Sequence, residues 1–161
     1  MGEYKKALEF LNRGTKIGRK HGLLHIYASC LSEKVEILID TGEMEEAECL
    51  LENLKELNKK LHVPTIVLRT LILEARLMAA NDKDAAEEYL KDKREKLSKQ
   101  ESQFLPYIDL EIYRINNDPS LRKKLIKTFI QMNEETPRYA IKKILEELKG
   151  STVNDASRKK D

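Results

Sequence analysis

The sequence predicts an all-α fold of about eight antiparallel helices in four pairs. Three observations lead there. Apolar residues recur at steps of three and four along most of the chain, the period of a helix with one buried face. Six Gly, four Pro and no Trp in 161 residues are too few turn-formers for an all-β fold, which needs turns every ~8–12 residues. The polar breaks between periodic segments span only two to five residues, which makes consecutive helices antiparallel neighbours.

The first helix covers 3–20, with Tyr4, Ala7, Leu8, Leu11 and Ile17 in phase. His21-Gly22 ends it behind Arg19 and Lys20, cations that suit a helix C-terminus. The second spans 24–40 and stops at Asp40-Thr41-Gly42. The third spans 43–61, acidic at its start (Glu43, Glu45, Glu46) and basic at its end (Lys59, Lys60), as the helix dipole favours. Pro64 opens the fourth, 64–80, where its missing N–H costs nothing. This helix is apolar almost all round. The fifth is expected over 83–98, with Glu87–Lys91 and Glu95–Lys99 pairs on its outer face.

Ser98-Lys99-Gln100-Glu101 reads as a capping box ahead of the sixth helix, 102–116. Pro106 near its start predicts a late beginning or a kink. Asp118-Pro119 supplies an N-cap and first residue for the seventh, 119–132. Thr136-Pro137 looks like the same device for the eighth, 137–149, which Gly150 should end. The reading is therefore one helical-repeat domain over 1–149 and a disordered tail over 150–161.

The pairs repeat. Ala7, Ala47, Ala86 and Leu121 occupy one slot, at steps of 40, 39 and 35 residues. Leu11, Leu51, Leu90 and Leu125 follow each slot by four residues. A small residue there lets two helices cross closely, and Gly42 or Asn81 five residues earlier turns the chain tightly. The stretches LIDTGEMEEAECLLENL (38–54) and LMAANDKDAAEEYLKD (77–92) resemble the turn of the tetratricopeptide repeat superfamily. The spacing resembles its long-repeat variety, found in bacterial signalling regulators, in transcription activators of the maltose-activator type and in kinesin light chains. The resemblance covers roughly 1–132. Val35, Glu74 and Asp109 stand where the family has a glycine, and the aromatic at the start of its first helix is absent. The resemblance implies a right-handed superhelix whose concave side is lined by the first helix of each pair. It implies a protein-interaction or regulatory module, part of a larger signalling or transcription-control protein.

On that concave side the second helix carries an acidic stripe: Ser29, Ser32, Glu33, Glu36 and Asp40. The fourth offers Leu68, Leu71, Ile72, Ala75 and Ala79, either the floor of a groove or plain core. The sixth offers Gln103, Tyr107, Leu110 and Arg114. The candidate partner-binding residues are Ser32, Glu33, Glu36, Asp40, Leu71, Ile72, Tyr107 and Arg114. The expected partner is a protein or peptide.

No enzyme is expected, and no cofactor. The chain lacks phosphate-loop, dinucleotide, hydrolase-elbow and zinc-protease motifs. His21 and His25 are four apart, but Gly22 between them should break the helix, so no metal site is expected. Cys30 and Cys49 read as small buried hydrophobes in a reduced, cytoplasmic setting. No apolar run reaches the ~18–20 residues of a membrane span.

Charge is uneven beneath the net +2. Residues 1–22 sum to +4, 23–61 to −5 and the remainder to +3. The basic first helix, and the seventh with Arg122, Lys123, Lys124 and Lys127, raise a nucleic-acid alternative. A pI near 8.4 and 6% aromatics weigh against it. A small-ligand pocket under the fourth and sixth helices is the other alternative. The first helix, which has no polar cap, is expected to meet another domain or a second copy of the chain.

Overall fold

The computed structural model describes residues 2–157, and side chains from residue 4 to residue 150. Among the described residues the chain is all-α, with eight α-helices, one 3-10 helix and no strand. It falls into two compact units, Met1–Asp92 and Lys93–Asp161, where the sequence reading has a single array over 1–149.

The first unit holds α1 (Gly2–Lys20), α2 (Leu24–Thr41), α3 (Met44–Leu61), α4 (Pro64–Asn81) and most of α5 (Lys83–Glu95). α2 is central, packing against α1, α3 and α4, and α4 lies against both α2 and α3. Val35 and Leu38 of α2, Leu51 and Leu54 of α3, and Ile66 and Leu73 of α4 form the buried core. The turns follow the chemistry of their residues. Gly22 and Gly42 take φ of +66° and +83°, a left-handed backbone that glycine adopts without strain.

α1 buries only part of the face expected: Ala7, Leu8 and Leu11 are half-buried, whereas Tyr4 and Ile17 are exposed. Gly14 and Gly18 turn inward as well. A Cβ on Gly18 would sit 2.9 Å from the backbone nitrogen of Tyr27, and one on Gly14 would lie 2.6 Å from Cys30 Sγ. The two glycines thus set how closely α1 approaches α2. Cys30 is half-buried there, and Cys49 is exposed, contrary to the expectation that both are buried.

The second unit contains a 3-10 helix (Lys99–Phe104), α6 (Leu105–Asn116), α7 (Pro119–Glu135) and α8 (Tyr139–Ser157). Leu110 and Tyr113 of α6, Leu125 and Phe129 of α7, and Ile141, Leu145 and Leu148 of α8 make its core. The capping box forms, with the Ser98 amide donating to Glu101 at 3.1 Å, but it heads the 3-10 helix. α6 starts late, at Leu105, with Pro106 in its first turn. Asp118 caps α7 by accepting from the Ser120 amide at 2.7 Å.

Three local expectations are corrected. α5 stops at Glu95, so Lys99 lies off that helix and the Glu95–Lys99 pair does not arise; Glu87–Lys91 does, at 2.7 Å. Thr136-Pro137 does not start α8, which begins two residues later at Tyr139. The helix does not end at Gly150 but continues to Ser157. Residues 158–161 of the expected tail lie outside the described residues.

Candidate functional site

The acidic stripe of α2 meets two arginines. Glu33, Glu36 and Asp40 share one face of α2 at steps of three and four. Arg69 and Arg76, seven apart on α4, reach across to it. Arg69 Nη1 contacts Glu33 Oε1 at 2.5 Å, and its Nη2 contacts Glu36 Oε2 at 2.5 Å. Arg76 Nη1 contacts the other Glu36 oxygen at 2.8 Å. Partial burial works against the charge of Glu36, but the two guanidiniums outweigh it and hold its carboxyl below the usual carboxylate range. Arg69 is likewise penalised by burial and held charged by Glu33 and Glu36.

The eight residues named from the sequence divide as follows. Ser32 is a correction: it is 1% exposed, and its hydroxyl donates to the Ser29 carbonyl at 2.8 Å, so no partner can reach it. Its short side chain fits under the α2 surface because the helix's own carbonyl satisfies it. Glu33 and Asp40 are exposed and Glu36 half-buried. Leu71 and Ile72 are half-buried, and neither belongs to the α4 core set of Ile66, Thr70, Leu73 and Ala75. Ile72 sits between Arg69 and Arg76 on the same helical face. The structure thus brings Glu33, Glu36 and Ile72 together around two arginines.

Tyr107 and Arg114 belong to the second unit. The Tyr107 ring stacks edge-on against Phe129, with centroids 5.7 Å apart. Arg114 grips Glu147 of α8 with two bonds, at 2.9 and 2.6 Å, and also pairs with Glu111. Both residues are tied into the packing of α6 on its neighbours.

Two further carboxylates are held inside the helical pairs. Glu74 of α4 accepts from Tyr89 of α5, and Lys55 of α3 meets it at 2.5 Å. Asp109 of α6 is buried and pairs with Arg94 of α5 at 2.5 Å and Lys124 of α7 at 3.1 Å. Burial and the Glu74 carboxylate push the Tyr89 phenol well above its ordinary range, so it stays a donor. The seventh helix's cations are partly committed as well. Lys124 is on Asp109, and Arg122 donates to the Leu148 carbonyl at 2.8 and 2.5 Å.

Sequence reasoning missed Arg69 and Arg76 because they are embedded in a helix that reads as apolar. Their seven-residue spacing opposite a carboxylate stripe is the signal that would have found them. Among the described residues no three His, Cys, Asp or Glu side chains cluster so as to hold a metal ion, and no helix is long and apolar enough to cross a membrane. No family model, curated protein or solved structure matches this chain.

Proposed function

We propose that this chain is a protein-interaction module built as a tetratricopeptide-like right-handed superhelix, working in the cytoplasm within a larger signalling or transcription-control protein. The observation that carries the reading is the partly exposed ladder of Glu33, Glu36, Arg69 and Arg76 between α2 and α4, with Ile72 in its midst. Each of its charged side chains is between a quarter and a half exposed, so an incoming peptide can exchange its own charged side chains for those of the ladder. Ile72 and Leu71 offer the apolar contact that fixes register. The partner surface is therefore of mixed charge rather than acidic, with Asp40 at its rim. The packing of α4 on both α2 and α3 supports the superhelical arrangement, because the helix that opens one pair there interlocks with both helices of the pair before it.

Selection of displayed peptides on the folded chain tests the reading. Bound peptides should lose about tenfold in affinity with Arg69→Glu, and regain part of it when Glu33→Lys is added. Selected peptides that ignore both changes would rule this face out.

Self-association through α1 is a second reading, favoured by Phe10, which is 70% exposed, and Ile17 one heptad on. Sedimentation over a wide concentration range decides it, since a strict monomer removes it.

A further inference from the structure

A cavity of about 550 Å³ opens on a different side of α2. Its lining is Thr15, Lys16, Arg19 and Lys20 from α1, then Tyr27, Leu31 and Lys34 from α2, and Leu50 of α3. Tyr27, Leu31 and Lys34 are spaced by four and three residues, so they form one face of α2, separate from the Glu33–Glu36 face. Four cations therefore converge on one opening, and no carboxylate lines it. None of the four side chains is ion-paired among the described residues. This sets them apart from Arg69, Arg76, Arg94, Arg114 and Lys124, each of which faces a carboxylate.

Convergent cations without counter-charges repel one another, and a multivalent anion relieves that repulsion. The floor supplies the other half of the recognition. Tyr27, Leu31 and Leu50 give it an apolar, partly aromatic surface suited to a ring. The volume lies within the roughly 300–1,000 Å³ of small-molecule sites. A nucleic-acid strand needs a basic track with several stacking aromatics, and Tyr27 is the one aromatic residue of this lining.

We propose that this cavity binds a small organic polyanion: a ring-bearing molecule with two or more negative charges on phosphate or carboxylate groups. The ring lies on Tyr27 and Leu31. The anionic groups meet Lys16, Arg19, Lys20 and Lys34, with Arg19 able to grip one of them with two hydrogen bonds. Gly18 is part of the device. By letting the backbone of α1 rest on Tyr27 it brings Arg19 and Lys20 to the rim.

Titration calorimetry on the full chain at low salt tests the proposal with ATP, trimesate, pyrophosphate and adenosine as probes. ATP or trimesate should bind at least about tenfold more tightly than pyrophosphate or adenosine. Whichever of the first two binds more tightly identifies the anionic group. The double variant Lys16→Gln/Lys20→Gln, and separately Lys34→Gln, should weaken that binding about tenfold while circular dichroism and melting stay unchanged. Lys5→Gln/Lys6→Gln removes the same charge from α1 outside the cavity and should leave affinity within about twofold. Absence of binding by both ring polyanions overturns the proposal. So does equal weakening by the Lys5/Lys6 control, and so does binding confined to an RNA oligomer or an acidic peptide.

Discussion

Glu74 on α4 and Asp109 on α6 solve one problem at two depths. Each accepts a bond from the following helix at an offset of 15 residues, from Tyr89 and from Lys124 respectively. Each also takes a cation from the preceding helix, Lys55 for Glu74 and Arg94 for Asp109. Glu74 is half-buried, and its partners include a neutral hydroxyl and an ammonium. Asp109 is 5% exposed and is met by two full positive charges. The deeper the carboxylate, the larger the desolvation cost that paired charge must offset. Val35 on α2 is the third solution at this place in the repeat: no charge at all, with Leu50 packed against the core to which Val35 belongs.

Stranding Asp109 should have the largest effect. The double variant Arg94→Ala/Lys124→Ala leaves a buried carboxylate unpaired and should cost the second unit about 3 kcal/mol, read by denaturant unfolding. A loss below about 1 kcal/mol would mean that depth does not set the demand for charge. Tyr89→Phe removes one charge-assisted bond from Glu74 and should cost about 1.5 kcal/mol, with Lys55 still in place. Asp109→Val copies the Val35 solution. It should change stability by less than about 1 kcal/mol, because Arg94 and Lys124 can turn to water.

The smallest effect belongs to the half-exposed ladder of α2 and α4. Glu36→Gln should cost about 0.5 kcal/mol near neutral pH. Arg69 and Arg76 lower the Glu36 pKa in the folded chain, so its contribution is complete above the ordinary value of 4.5. It fades as pH falls through the folded value. The difference between parent and Glu36→Gln should therefore shrink on acidification, and urea midpoints at neutral and acid pH check it.

The helices were legible because their apolar steps are regular over many turns. Their ends were less so. Around 96–104, Leu97 keeps the periodic pattern going while the Ser98–Glu101 box starts a separate short helix, and the local hydrogen bonds win. Part of the α1 face was missed because a pattern built on side chains gives Gly14 and Gly18 no weight. The contacts of Gly18 with the Tyr27 backbone and of Gly14 with Cys30 Sγ depend on their having none. Of the candidate site, the acidic face of α2 was legible from its spacing. That Ser32 lies beneath it was not, since a serine satisfied by its own helix is as easily buried as an alanine. Arg114 looked like a groove wall because one helix at a time cannot reveal that Glu147 waits on another.

The approach of α1 to α2 has a use outside equilibrium. Cys30 Sγ lies against α1 at Gly14, and Cys49 stands in water on α3. The chain thus carries two thiols with different clocks. Cys49 should be alkylated fast, and Cys30, half-buried against the first helix, more slowly and faster whenever that helix lifts away. The ratio of the two labelling rates measures the opening of that helix, with the second thiol as internal standard and no added probe.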